Sequence, residues 1–253
     1  MKLLKAMAIA FSIYSKIPVP QFEWKEEDME YMMCFFPWIG GVIGLFFFGW
    51  AVLCEKFAVG NVCYALIGAA IPLMISGGFH VDGYMDTMDA FHSYQSREKK
   101  LEILKDSHIG AFAAIMLALY YMIDIAAISE IHTQKAVSAL AAVFFLARCF
   151  SGIAVMTLQP AKKEGLLYTF ASSAQKVRVK AALYFQTVLC VVLMLLVSGW
   201  YGAAAIGAAL LSFFYFKKKS YKELGGITGD TAGFFVTVCE AAAAAAVAVA
   251  GYF

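Results

Sequence analysis

Charge is scarce in this sequence. Only 15% of its 253 residues are Asp, Glu, Lys or Arg, while 62% are hydrophobic, against roughly 45–50% apolar in soluble domains. Mean hydropathy is +0.74. A core of this size cannot absorb that much apolar side chain, so much of the surface must face lipid. A soluble enzyme, a disordered chain and a coiled coil are excluded together. The net charge of +2 is too small to argue for nucleic acid as a partner. No two of the six cysteines (34, 54, 63, 149, 190, 239) form a C-x-x-C pair, so neither a disulfide scaffold nor a thiolate metal site is indicated. They read as small buried apolar residues.

Other absences narrow the chemistry. The first 20 residues, MKLLKAMAIAFSIYSKIPVP, carry two early lysines and a short apolar run, as a signal peptide does, but no clean small-x-small cleavage site. They are expected to form an amphipathic helix at the membrane surface. No G-x-x-x-x-G-K-[ST] run is present, so no P-loop is expected.

What is abundant is long apolar segments. About 20 apolar residues cross a bilayer core of about 30 Å. Seven stretches qualify or nearly so: 34–53, 57–77, 110–129, 136–158, 181–199, 201–216 and 233–251. The fifth and sixth flank Gly199-Trp200-Tyr201-Gly202 and are expected to form a tight helical hairpin. Gly40 with Gly44, and Ala203 with Gly207, have the small-xxx-small spacing of close helix packing. Placing the N-terminus in the cytoplasm puts 1–33, 78–109, 159–180 and 217–232 on that side, with 17 of the 20 basic residues. That bias sets the orientation by the positive-inside rule and faces the C-terminus outward. The expected fold is all-α: a polytopic integral membrane helix bundle of about seven spans plus the surface helix, with 1–253 one membrane-embedded unit.

The longest polar stretch, 78–109, places Asp82, Asp86 and Asp89 at i, i+4 and i+7. On a helix these carboxylates lie within about 60° of one another. Like charges at that spacing repel, and Mg²⁺ is the natural counter-ion, taking one or two carboxylates plus substrate phosphates. A solvated acidic face is the plainer alternative. His80 and His92 flank the cluster. A short amphipathic helix should follow over about 96–105, with Leu101 and Leu104 on its apolar side. Lys105-Asp106-Ser107-His108 then leads into the third span, where Asp106 or Ser107 would cap the helix, or Lys105 and the helix N-terminus would hold an anion.

In the 159–180 loop, Lys162 and Lys163, with Gly165 beyond Pro160, are candidates for phosphate contact, though an inside-positive anchor also accounts for these lysines. The last polar loop carries Gly225, Gly226 and Gly229, which permit close backbone approach to a ligand, and Thr228 or Asp230, which could cap the last span or serve a phosphate or metal. Asp124, Arg148 and Glu240 lie within spans, where ionisable groups are costly. Helical rise puts Arg148 and Glu240 at similar depth, so they are expected to pair, although a long arginine could also snorkel toward the cytoplasmic side.

The residues resemble the cobalamin synthase family, the adenosylcobinamide-GDP ribazoletransferases, nearly end to end. The resemblance rests on Ile17-Pro18-Val19-Pro20, Phe35 to Gly40, Gly77 to Gly83 with Asp86 to Asp89, and Lys105 to Phe112, where the family more often has Arg in place of His108. Arg148, Pro160, Gly165 and Gly226-Ile227-Thr228-Gly229-Asp230 also fit. It implies a multi-pass enzyme of the cell membrane with its active site on the cytoplasmic face. It would join adenosylcobinamide-GDP to α-ribazole, or to α-ribazole 5′-phosphate, and release GMP with Mg²⁺ as cofactor. Partners would be these small molecules and the bilayer, not nucleic acid, with a homo-oligomer or other cobalamin-assembly enzymes as further options.

On this reading Asp82, Asp86 and Asp89 are the metal ligands. Catalytic candidates are His80, Asp106 and Lys105. Ser107, Arg148, Lys162, Gly226, Gly229 and Asp230 are candidates for substrate phosphate or nucleotide. The ribazole 5′ oxygen, from a hydroxyl or a phosphate, would be the nucleophile, and a hydroxyl would want His80 or Asp106 as base. Three rivals share some features. Membrane prenyltransferases use D-x-x-x-D spacing but usually carry a second such motif, absent here. CDP-alcohol phosphotransferases need a D-x-x-D-G-x-x-A-R run, also absent. A transporter would want an internal repeat, and none is seen.

Overall fold

The computed structural model describes residues 2–20 and 23–253, so Met1 of the expected surface helix lies outside the described residues. Eleven α-helices account for most of the described chain: α1 Lys2–Tyr14, α2 Phe36–Lys56, α3 Asn61–Ser76, α4 Phe79–His92, α5 Arg97–Ile103, α6 Ala111–Ile128, α7 Gln134–Thr157, α8 Leu166–Ser173, α9 Lys176–Ser198, α10 Trp200–Leu224 and α11 Gly229–Ala250. Two 3₁₀ turns, Glu26–Met29 and Met32–Cys34, link α1 to α2. Among the described residues there is no strand; one parallel bridge joins Pro160 to Ile227.

α1 buries Ala6, Ile9, Ala10 and Tyr14, a single helical stripe, and leaves Leu3, Leu4 and Met7 exposed. This is the amphipathic surface helix the sequence suggests. α7 lies at the centre, packed by α2, α9, α10 and α11, while α11 also packs on α4, α6 and α10. Outer helices turn leucine and phenylalanine outward, as Leu45, Phe46, Leu189, Leu196, Leu211 and Phe214 do. Such a surface suits hydrocarbon and makes the chain a multi-pass membrane protein.

Among the described residues, five helices are long and apolar enough to cross a membrane: α2, α6, α7, α9 and α11. A sixth exists if α3 and α4, bent by 97°, count as one broken span. Two of the seven expected spans, α3 and α10, lie outside those five. α3 has 16 residues, short for a crossing alone. α10 has 25, but its second half carries Lys217, Lys218, Lys219, Lys222 and Glu223.

Glycines decide the closest helix contacts. A Cβ at Gly40 or Gly44 would collide with the α7 backbone at Phe144 or Ala141, as their spacing predicts. In the α9–α10 hairpin the contact is made by Gly202 against Met194, whereas Gly207 faces open space, so the Ala203/Gly207 pairing is not the seam. The hairpin itself forms, turning at Gly199.

Candidate active site

The 78–109 stretch is not a loop at its start but a helix. Gly77 and Gly78 both adopt the left-handed conformation, at φ +68° and +85°, ending α3 and starting α4 in a new direction. α4 is then held against α11 at two glycines. A Cβ on Gly83 would lie 2.8 Å from the Asp230 carbonyl oxygen, and one on Gly233 would lie 3.1 Å from the His80 carbonyl oxygen. That crossing sets Asp82 of α4 beside Asp230 of α11.

A cavity of about 540 Å³ opens at the crossing. It gathers eight residues the sequence singles out: His80, Asp82, Lys105, Lys162, Gly165, Thr228, Gly229 and Asp230. The carboxylates of Asp82, Asp89 and Asp230 all act electrostatically on Asp86, and Asp230 senses both Asp82 and the Lys162 ammonium. Lys162 donates to the Leu101 carbonyl oxygen at 3.0 Å. Burial, followed by the charge of Lys105, holds its ammonium below the ordinary lysine pKa. Lys105 pairs with Glu164 at 2.6 Å, and that bond holds Glu164 below its usual range.

The loops are placed by backbone contacts. The Pro160–Ile227 bridge forms because Ile227 N–H donates to Gln159 O at 2.9 Å and Ala161 N–H to Ile227 O at 2.8 Å. Gly226 leaves room for it: its Cβ would lie 2.6 Å from Gln159 O. Gly226 therefore fastens the lysine-bearing loop to the start of α11 without lining the cavity. Thr228 caps α11, its hydroxyl accepting from Thr231 N–H at 3.1 Å. Asp230 is left out of the capping box and lines the cavity.

Several candidates lie elsewhere. Asp89 is a helix cap: its oxygens accept from Gly110 N–H at 2.7 Å and Ala113 N–H at 2.9 Å, closing the N-terminus of α6 from a distant helix. Neither Asp106 nor Ser107 caps α6. Asp106 accepts from the His108 backbone N–H at 3.0 Å and lies 2.6 Å from its ring, bonds that hold Asp106 below the usual carboxylate range. Both Asp106 and Ser107 are exposed outside the cavity. Arg148 is 1% exposed and bonded to Glu240 and the Phe144 carbonyl oxygen. It forms the buried pair its depth predicts and does not line the cavity.

His80 does line the cavity but is only 5% exposed, and neither ring nitrogen has a protein partner. Its ring lies parallel to that of Tyr14 at 6.1 Å, with Phe36 and Phe79 each at 5.7 Å. Tyr14, Phe36, Phe79 and Phe170 line the same end of the cavity, and Glu164 lines its charged end. None of these five is a candidate site residue from the sequence, although Phe36 and Phe79 lie within stretches that carry the resemblance. The aromatics are dispersed over four segments, and Glu164 shows its role only by facing Lys105.

Residues 6–248 match the family model described as CobS, cobalamin-5-phosphate synthase. The chain belongs to this family. It is 44% identical over 250 residues to the adenosylcobinamide-GDP ribazoletransferase of Lachnoclostridium phytofermentans, covering 99% of this chain and 95% of that protein. It is 31% identical to the protein of that name from Clostridium botulinum strain Alaska E43, covering 94% of each chain. The Geotalea daltonii protein of that name is 30% identical over 91% of this chain and 92% of its own. No solved structure matches the chain.

The spacing of the acidic cluster predicts a bound metal. Among the described residues no three His, Cys, Asp or Glu side chains converge to hold an ion unaided. Asp82 and Asp230, which line the cavity, nevertheless fit Mg²⁺ in its usual mode, in which one or two carboxylates share the ion with substrate phosphates and water. Their mutual repulsion is what such a cation relieves.

Proposed function

We propose that the whole chain acts as one membrane-embedded, Mg²⁺-dependent transferase. It joins adenosylcobinamide-GDP to ribazole, or to ribazole 5-phosphate, and releases GMP at the cytoplasmic face of the cell membrane. The observation that carries this reading is the cavity at the α4–α11 crossing. There, acids for a metal (Asp82, Asp230) and cations for phosphate (Lys105, Lys162) line one cavity. The family match and the relatives' names support the substrates. The 17 of 20 basic residues on one side support the orientation.

Lys105 and Lys162 bind the pyrophosphate, and the exposed Gly229 at the start of α11 brings backbone close to it. Asp82 and Asp230, with Asp86 in electrostatic reach, hold the ion; when bound it neutralises charge on the departing GMP and polarises the phosphorus under attack. Asp89 is not among these ligands, because both its oxygens serve α6. A product named as a 5-phosphate keeps that phosphate, so a different ribose hydroxyl must attack. The expectation of attack through the 5′ oxygen is set aside. The hydroxyl proton passes to a free oxygen of Asp82, which is exposed to the cavity. Asp106 lies outside the cavity, and the His80 nitrogens are sealed under Tyr14. His80 instead helps build the apolar end that receives substrate.

GMP release from adenosylcobinamide-GDP by the protein in lipid nanodiscs, with ribazole and with or without Mg²⁺, tests the reading. Mg²⁺-dependent GMP release that requires the ribazole acceptor supports it; turnover of a prenyl diphosphate, or no release at all, sinks it.

A further inference from the structure

A second cavity, also about 540 Å³, lies behind the wall formed by Phe79 and Asp82. These two residues line both cavities. The far side of the second cavity is built from the end of α1 and the left-handed turn before α4. Lys16 supplies a cation there, and Leu73, Met85, Leu117 and Tyr121 supply an apolar wall.

The placement of Lys16 is specific. Its backbone N–H donates to the Ile75 carbonyl oxygen at 2.8 Å, which ties the start of the Ile17-Pro18-Val19-Pro20 segment to the end of α3. Its aliphatic stem runs along Gly77: a Cβ there would lie 2.8 Å from Lys16 Cγ and 3.0 Å from Cδ. The left-handed turn at Gly77 therefore serves both the helix bend and the lysine track. Among the described residues the Lys16 ammonium makes no ion pair with a carboxylate, unlike Lys105, which is held by Glu164.

We propose that this second cavity receives the acceptor nucleoside and that Lys16 binds its 5-phosphate, so that Lys16 sets the preference for ribazole 5-phosphate over ribazole. The proposal rests on the transferase reading above. Displacement at phosphorus is in line, with nucleophile and leaving group on opposite sides. Two cavities that share the Asp82 wall supply those two sides. GMP leaves through the cavity with Lys105 and Lys162, and the acceptor enters from the other. A volume of about 540 Å³ lies within the range of small-molecule sites, roughly 300–1,000 Å³. The apolar wall suits the planar base of a nucleoside acceptor. A lone ammonium on a flexible stem suits one phosphate. A lipid phosphate has the same chemistry, so the test must separate the two.

The measurement is the ratio of kcat/KM for ribazole 5-phosphate to that for ribazole, in nanodiscs of neutral and of anionic lipid. Lys16→Met should lower this ratio about tenfold, the loss expected for a charge-assisted hydrogen bond, with KM for adenosylcobinamide-GDP unchanged. Lys16→Arg should restore most of the ratio. An equal loss with both acceptors, a raised KM for adenosylcobinamide-GDP, or an effect that follows anionic lipid content instead of acceptor phosphorylation would overturn the proposal. Equilibrium binding of ribazole 5-phosphate, without corrinoid, reads the same site independently of turnover. Binding about tenfold weaker in Lys16→Met supports it, by the same reasoning, and equal binding overturns it. A wild-type protein that binds the acceptor but never releases GMP would sink the transferase reading and leave the acceptor site standing.

Discussion

Arg148 uses a single guanidinium nitrogen, Nη1, to donate both to Glu240 Oε1 at 2.7 Å and to the Phe144 carbonyl oxygen at 2.8 Å. This locks α7 to α11, the two most enclosed helices, beneath the cavity. Removing one partner leaves a buried charge uncompensated, which costs about 3–5 kcal/mol. Arg148→Ala and Glu240→Ala should each unfold at markedly lower temperature in detergent. The reversed pair, Arg148→Glu with Glu240→Arg, should recover part of what each single reversal loses. No recovery at all would show that the two charges do not stabilise each other.

The acidic helix divides into two kinds of aspartate. Asp82→Asn should abolish GMP release while the protein still inserts and folds, because the change removes a charge from the cavity wall. Asp89→Ala should instead lower stability by about 1 kcal/mol, as loss of a helix cap does, and keep measurable turnover. Parallel assays of GMP release and thermal unfolding decide between these roles. Near-normal turnover in Asp82→Asn would refute the metal assignment.

Lys162 carries a pH signature. Its pKa lies below the ordinary lysine value because of burial and the nearby Lys105 charge. As pH rises through that lowered value the ammonium is lost, and phosphate binding with it. The alkaline fall of kcat/KM should therefore begin below the usual lysine range of about 10.4. Lys162→Arg, whose guanidinium stays charged, should move that fall upward. A profile identical to wild type would remove Lys162 from phosphate binding.

Gly83 permits the crossing that brings Asp82 to Asp230. Gly83→Ala would place a methyl 2.8 Å from the Asp230 carbonyl oxygen and push α4 off α11. Overpacking of this kind costs about 1–3 kcal/mol, and turnover should fall further than stability alone explains. Gly207→Ala, where a Cβ meets nothing within 4 Å, is the matched control and should behave as wild type.

Much of this was legible from residue order, because hydrophobic length reports lipid contact directly. The helices, the surface stripe of α1 and the Arg148–Glu240 pair follow from period and depth alone. Asp89 shows where that reasoning stops. Its i+7 spacing from Asp82 is the same for a metal ligand and a remote cap, and only the arrival of Gly110 on the same face separates them. Gly226 likewise reads as a ligand-binding glycine, yet it makes room for a backbone bridge. The seven apolar stretches outnumber the five or six crossings counted among the described residues, in part because α3 stops after 16 residues at the 97° bend, which needs two left-handed residues in succession.

That bend bears on how the protein enters the bilayer. A straight continuation of α3 would pull three aspartates into hydrocarbon, at about 2.5–3.5 kcal/mol each on insertion scales. Because the chain turns at Gly77 and Gly78, the acidic helix need not follow the line of α3 into the bilayer. Substituting a residue that favours a continuous helix at these two glycines would then be a biogenesis defect before it was a catalytic one, visible as chain that the insertion machinery fails to retain.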